Sequence, residues 1–134
     1  MKQREIKFRV WDGERMYTIS GQGLHLVIWN DPTRIEWGVY DASEARVSDS
    51  QYGGVLMQYT GAKDQSGREV YEGDIVRYVD GRTGREVVAW VEWTKGMFRI
   101  HGPLGWTGFN INEDTVRFEV IGNLYENHDT QFMQ

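Results

Sequence analysis

The sequence contains no cysteine and only two prolines among its 134 residues. Without cysteine the chain cannot form disulfides, iron–sulfur clusters, cysteine-ligated zinc or a thiol nucleophile. Its longest uninterrupted apolar run, Val87–Val91, is far too short to span a bilayer, and so is the run Leu26–Trp29. Positive charge is also scarce: 15 Lys and Arg stand against 20 Asp and Glu, for a formal charge of −5. This balance argues against a non-specific nucleic-acid binder and against a polybasic membrane binder.

The N-terminal residues are charged from Lys2 onward, and no long apolar stretch follows them. This pattern predicts no secretory signal, and with the lack of cysteine it favours a reducing cytoplasm. The chain is 40% hydrophobic and 13% aromatic, which excludes general disorder. A chain of this length can bury about two-thirds of its surface, enough for one core.

Short strands joined by tight turns are the main expectation, because 16 glycines occur among many aromatic and β-branched residues. Ile6, Phe8 and Val10 alternate with Lys7 and Arg9, which is typical of a half-buried strand. Further strands are predicted near residues 16–19, 24–29, 35–40, 55–60, 75–79, 86–93, 97–101 and 117–122. Residues 102–108 are predicted to form a Gly/Pro-rich loop.

One helix is expected. Asp41-Ala42-Ser43-Glu44 has the form of a capping box, in which the first side chain and the acidic residue three positions on cap each other's backbone. The pattern predicts a short helix near residues 42–47.

The second half of the chain resembles small SH3-like barrels. Glu72-Gly73-Asp74 leads into a strand, the hairpin turn Asp80–Gly84 follows, and a long Val/Trp strand comes next. We therefore predict a mainly β fold with one short helix. A small SH3-like barrel occupies the C-terminal half, and an N-terminal strand and hairpin region packs on or beside it. The whole chain, 1–134, is expected to be a single domain, with N-terminal strands and helix over 1–50, barrel over 51–126 and a flexible tail over 127–134.

Three stretches together resemble the YopX family of phage and prophage proteins. They are the opening run Arg4–Asp12 with Met16-Tyr17, the long central run Leu56–Val76, and the closing run Glu119–Asn127. The central run, which contains Gly61-Ala62-Lys63-Asp64-Gln65-Ser66-Gly67, is the most specific. One departure is His128, where the family usually has proline.

The resemblance implies a phage or prophage protein of the bacterial cytoplasm, with a mainly β fold and self-assembly. It implies no catalytic, cofactor-binding or metal-binding residue that transfers to a position of this chain. The resemblance implies an accessory or regulatory phage protein.

Glu72 and Asp74 form the carboxylate pair with the best spacing for acid/base chemistry. Residues two apart on a strand point to the same face, so the two side chains could act together. The competing interpretation is structural: Gly73 permits an unusual backbone angle and Asp74 caps a turn through its own backbone. Turn chemistry explains the triplet better.

Binding residues are predicted in the central motif and among the aromatic side chains. Lys63, Asp64 and Arg68 suit a phosphate or carboxylate contact, with Arg68 able to bind in a bidentate manner. A polar hairpin with Ser66-Gly67 at its tip is the structural alternative. Glu72 and Asp74 are included as binding candidates, and the aromatic candidates are Tyr59, Tyr71, Trp90 and Trp93. Trp90 and Trp93, three apart on a strand, should point to opposite faces, one in the core and one nearer the surface.

The three histidines, His25, His101 and His128, match no metal-binding spacing. We therefore expect no metal and no cofactor. The predicted function is a non-enzymatic protein-binding module that binds a host or phage protein and self-associates as a homo-oligomer. The alternatives are a nucleic-acid-binding barrel that uses Lys2, Arg4, Lys7 and Arg9, and a metal-assisted hydrolase that uses Glu72 and Asp74.

Overall fold

Antiparallel strands and tight turns make up the architecture. The computed structural model describes residues 5–19, 23–31, 33–102, 105–110 and 117–127. These residues form twelve strands and no helix. The chain divides into two compact units, an N-terminal one of residues 7–58 and a C-terminal one of residues 59–134 with 1–6. Nothing in the described ranges forms a helix long and apolar enough to cross a membrane.

The N-terminal unit contains two antiparallel sheets. Its strands are β1 (Phe8–Trp11), β2 (Met16–Ile19), β3 (His25–Asp31), β4 (Arg34–Tyr40), β5 (Arg46–Asp49) and the first part of β6 (Val55–Lys63). β1 pairs with both β2 and β6. The other sheet has the order β3-β4-β5. Val10 and Val39 are fully buried in this unit, as expected for β-branched residues on inward strand faces.

The predicted helix near residues 42–47 is wrong. Asp41 does cap the following backbone, because its Oδ1 accepts from the N–H groups of Ser43 and Ala45 at 2.9 and 3.0 Å. Glu44, however, has a φ of 65°, in the left-handed region that ends a helical turn. Asp41 N–H then donates to the Ala45 carbonyl at 2.9 Å, and the chain enters β5. Half of a capping box is thus used to close a tight turn between two strands.

The C-terminal unit is built on a five-stranded antiparallel sheet of order β11-β10-β9-β8-β12. Its strands are β7 (Glu69–Tyr71), β8 (Asp74–Val79), β9 (Glu86–Thr94), β10 (Met97–Gly102), β11 (Gly105–Asn110) and β12 (Phe118–Asn123). The last part of β6 pairs with β7. A cluster of buried side chains fills the core, made of Val70, Val76, Ala89, Val91, Phe98, Ile100, Phe118 and Val120.

The mainly β class is confirmed. All nine predicted strands are present, and β5, β7 and β11 are additional. β11 replaces part of the loop predicted over 102–108. The closure of the C-terminal strands into an SH3-like barrel stays a prediction. The predicted flexible tail lies outside the described residues except for Asn127, whose N–H donates to the Asn123 carbonyl at 3.0 Å.

Candidate functional site

The central motif folds into a turn organised by the Asp64 carboxylate. Asp64 is only 7% exposed. Its Oδ1 accepts from the N–H groups of Ser66 and Arg68, both at 2.9 Å, and its Oδ2 accepts from the N–H of Val120 at 3.0 Å. The backbone of Gln65 adds a bond to the Phe118 carbonyl at 3.0 Å. One carboxylate therefore shapes the loop and fastens it to β12.

Hydrogen bonding also sets the charge state of Asp64. Burial by itself raises the pKa of this carboxyl, but the backbone N–H groups of Val120, Arg68 and Ser66 outweigh it and lower the pKa below its ordinary value. The group is thus an anion at neutral pH whose oxygens are occupied by the protein's own backbone. The structure assigns Asp64 a structural role, whereas Lys63 and Arg68 beside it are exposed.

The Glu72–Gly73–Asp74 triplet forms a second turn held from several sides. Asp74 is 2% exposed, and its Oδ2 accepts from the Tyr71 N–H at 2.8 Å. Gly73 has a φ of 84°, which a residue with a Cβ adopts only with strain. Its N–H donates to the Val91 carbonyl and its carbonyl accepts from the Leu124 N–H, both at 2.8 Å. The geometry matches the turn interpretation of the carboxylate pair.

Tyr59 and Tyr71 are brought together inside the C-terminal unit. They are 4% and 5% exposed, and their ring centroids lie 5.5 Å apart at a 41° tilt. Both rings stabilise the pairing of β6 with β7, in which Tyr59 lies directly opposite Tyr71. Because both rings are buried, neither is accessible to a partner molecule.

Trp90 and Trp93 lie on opposite faces of β9, as predicted. Trp93 is opposite Phe98, contacts its ring edge-on at 4.8 Å, and is 53% exposed. Trp90 is half-buried; its ring lies 4.7 Å from that of His101, and its Nε1 donates to Glu92 at 3.3 Å. The expectation of one core tryptophan is wrong, because neither belongs to the buried cluster.

The closing run of the family resemblance, residues 119–127, ends in a turn held by hydrogen bonds between side chains and backbone, which we call the clamp. Asn123 Oδ1 accepts from the N–H groups of Tyr125 and Glu126 at 3.0 and 2.8 Å, and Asn127 Oδ1 accepts from the Asn123 N–H at 3.0 Å. A Cβ added at Gly122 would lie 2.5 Å from Asn127 Oδ1, which explains why glycine precedes the clamp. The motif residues 122–127 therefore hold one another in place.

The described residues proposed for nucleic-acid or metal binding form no exposed cluster of cations and no set of metal ligands. Arg9 is 8% exposed and Lys7 is half-buried, so neither side chain offers much surface for a contact with a nucleic-acid phosphate. Lys2 and Arg4 lie outside the described residues. His25 stacks on Tyr40 with ring centroids 6.0 Å apart, and His128 is outside the described residues. Within the described part of the chain, no three His, Asp or Glu side chains come together as metal ligands.

Among the described strands, β3 has the most exposed apolar surface, and none of its residues was predicted as a binding residue. On β3, Val27, Ile28 and Trp29 are 41%, 56% and 41% exposed. Among the described strands of its sheet, β3 lies at the edge. A signal for this surface exists in the sequence: residues 16–30 form its longest stretch without Asp, Glu, Lys or Arg, and that stretch contains the apolar run Leu26–Trp29. An apolar surface of this kind is typical of a contact with another protein.

Both the fold and the turn motifs define a small all-β protein whose characteristic residues serve its architecture. The YopX protein family matches residues 7–129, so the chain belongs to the YopX family. The chain is 26% identical over 130 residues to the SPbeta prophage-derived uncharacterized protein YopX of Bacillus subtilis strain 168, covering 90% of this chain and 91% of that protein. The predicted family resemblance is confirmed.

Two solved structures share the fold. The crystal structure of YopX from Bacillus subtilis superposes with a TM-score of 0.69 at 25% identity, covering 96% of this chain and 98% of that one. The crystal structure of protein EF1440 from Enterococcus faecalis superposes with a TM-score of 0.57 at 22% identity, covering 98% of this chain and all of that one (100%). The second likeness concerns the fold alone.

Proposed function

We propose that this chain is a non-enzymatic accessory protein of phage or prophage origin, which acts in the bacterial cytoplasm by binding protein and which self-associates. The family membership and the prophage origin of its Bacillus relative support the biological context. The observation that carries the binding role is the exposed apolar strand β3. Burying Val27, Ile28 and Trp29 removes apolar surface from water, and this burial is the main driving force of protein association.

The two alternatives have less support from the described residues. A nucleic-acid module would need exposed cations beside its aromatic rings. Arg9 is buried and β3 carries no Lys or Arg. Arg46 does lie over the exposed Tyr52 ring, 4.3 Å from its centroid, but it also pairs with Asp49 at 3.2 Å. A hydrolase built on Glu72 and Asp74 would need both carboxylates available to substrate. Asp74 instead accepts a hydrogen bond from the Tyr71 backbone in a buried position.

The proposal predicts that a lysine at position 28 abolishes self-association. Ile28→Lys places a charge in the middle of the apolar strand, where burial against another protein would desolvate it. Sedimentation velocity over a wide concentration range should show the unaltered protein growing in mass with concentration and the variant remaining monomeric.

Val79→Lys is the matched control, because Val79 is an apolar strand residue with 62% exposure on β8 of the C-terminal unit. It should self-associate like the unaltered protein. A chain that stays monomeric at every concentration, or equal loss in both variants, would contradict the proposal. Binding of single-stranded DNA that weakens steeply with salt would support the nucleic-acid alternative in its place.

A further inference from the structure

The geometry points to a specific mode of self-association: we propose that β3 pairs antiparallel with β3 of a second copy across a two-fold axis at Ile28. The two sheets of order β3-β4-β5 would then join into one continuous sheet. This inference rests on the proposed function and names the occupant, the strand and the register.

The first support is the direction of the backbone groups on β3. β3 and β4 pair without a register shift from His25–Tyr40 to Asp31–Arg34, and two residues join them. In such a hairpin the pair flanking the loop exchanges hydrogen bonds, and bonded and non-bonded pairs then alternate. The N–H and C=O groups of Leu26, Ile28 and Asn30 therefore point away from β4, towards the outer edge.

The second support is that β3, apart from Asp31 at its end, lacks the features that protect edge strands in native proteins. Those features are short length, bulges, proline and charged side chains, especially lysine. β3 has seven regular residues, and residues 25–30 contain no Asp, Glu, Lys, Arg or Pro. The opposite edge of the same sheet, β5, has four residues, a register shift, and the charged pair Arg46 and Asp49. In the C-terminal unit, β11 and β12 both carry register shifts.

The third support is self-complementarity, which favours a second copy over an unrelated strand. A two-fold axis at Ile28 places Ile28 opposite Ile28 of the second copy, and Val27 opposite Trp29 of the second copy. At the centre of the pairing, apolar side chains thus meet apolar side chains on both faces, which makes the strand complementary to its own copy. The same register satisfies all the outward groups, since Leu26 lies opposite Asn30 of the second copy.

Neighbouring registers are poorer. An axis at Trp29 would leave Leu26 beyond the end of the other β3, which ends at Asp31. An axis at Val27 would leave Asn30 beyond the start of the other β3. Charge also favours contact through β3. Two copies that each carry −5 repel, and contact through a strand with no Asp, Glu, Lys or Arg over residues 25–30 keeps close like charges to a minimum.

Single-cysteine cross-linking tests this register, because the chain has no cysteine of its own. Residues directly opposite in an antiparallel pair have Cα atoms about 4.5–5.5 Å apart, within the range of a disulfide. Under mild oxidation Ile28→Cys should form a disulfide dimer at least about tenfold faster than His25→Cys, which the register separates from its own copy by roughly 20 Å. Val79→Cys measures the rate of random collision.

Each outcome decides the proposal. Fast cross-linking of Ile28→Cys alone supports it. Faster cross-linking of Val27→Cys or Trp29→Cys overturns the register. A protein that self-associates by sedimentation but cross-links at none of these positions overturns the use of β3 and leaves the proposed function standing. A monomer by sedimentation that cross-links no faster at Ile28→Cys than at Val79→Cys overturns both.

Discussion

Replacing Asp64 by alanine is expected to lower the free energy of unfolding by about 3 kcal/mol or more, because three backbone N–H groups lose a charged acceptor. The Val120 N–H that bonds to Asp64 Oδ2 is buried, so water cannot replace the lost oxygen there without further opening of the structure. Denaturant unfolding followed by tryptophan fluorescence measures the change. The loop over residues 64–68 and its bond to β12 should be lost together.

Asp80→Ala is the matched control for this prediction. Asp80 Oδ1 also accepts a backbone N–H, from Arg82 at 2.8 Å, but in an exposed hairpin turn. Its loss should cost at most about 1 kcal/mol, since water takes over the freed donor. Equal effects of Asp64→Ala and Asp80→Ala would show that Asp64 does not fasten its loop to β12.

The pH dependence follows from the same hydrogen bonds. The pKa of Asp64 is lowered in the folded protein, so the unfolded chain binds the proton more tightly. The stability contributed by Asp64 is therefore fully present above its unfolded value, about pH 4, and is lost as the pH falls through the lower folded value. Asp64→Asn removes this titration. Its free energy of unfolding should fall less steeply than that of the unaltered protein below about pH 4.

Gly54→Ala is expected to destabilise the N-terminal unit by about 1–3 kcal/mol, because its methyl group has no room. A Cβ at this position would lie 2.8 Å from the Asp49 carbonyl oxygen and 2.9 Å from the Trp37 ring, and it would also overlap Ser48 Oγ. The Gly54 N–H donates to that same Asp49 carbonyl, so the turn from β5 to β6 cannot simply move aside. Hydrogen exchange of β4 and β5 amides would locate the loss.

Gly81→Ala provides the contrast, since nothing lies within 4 Å of a Cβ there and its φ is not positive. Alanine should leave stability unchanged or raise it by up to about 1 kcal/mol through the unfolded chain. If Gly54→Ala were as harmless as Gly81→Ala, the close packing of β5 against the start of β6 would be incorrect.

Most strands could be predicted because their signal is local. Alternation of apolar and polar residues marks β1, and dense β-branched and aromatic residues mark β8 and β9. The start of β5 falls within the predicted helix because Asp41 caps a tight turn just as it would cap a helix. The difference lies in the left-handed φ of Glu44, which the pairing of β5 with β4 selects.

β7 and β11 show a second reason why local sequence patterns fail to predict some strands. β7 has only three residues, and its position opposite β6 depends on Tyr59 meeting Tyr71, a contact between residues distant in sequence. β11 contains Gly105 and Gly108, residues that ordinarily weaken a strand, and it forms because β10 offers it a partner. Tertiary pairing, which local patterns do not encode, produces both strands.

For the candidate site as well, some roles could be predicted from the sequence and others could not. Turn chemistry favours a structural role for Asp74, and the same reasoning extends to Asp64, whose third acceptor contact reaches Val120 far along the chain. The sequence signal at β3, an apolar run within a stretch that has no Asp, Glu, Lys or Arg, does not by itself indicate a surface, because an apolar strand is normally buried. Its place at a sheet edge, which exposes Ile28, emerges only from the strand order.

Amide hydrogen exchange at several protein concentrations is the most direct test that β3 is a protein-binding edge. The N–H groups of Val27 and Trp29 point to β4 and should be protected at every concentration. Those of Leu26, Ile28 and Asn30 point outward, so they should exchange rapidly in dilute protein and become protected as the concentration rises. Outward amides that exchange equally fast at all concentrations, while the protein nevertheless self-associates, would contradict this account of β3.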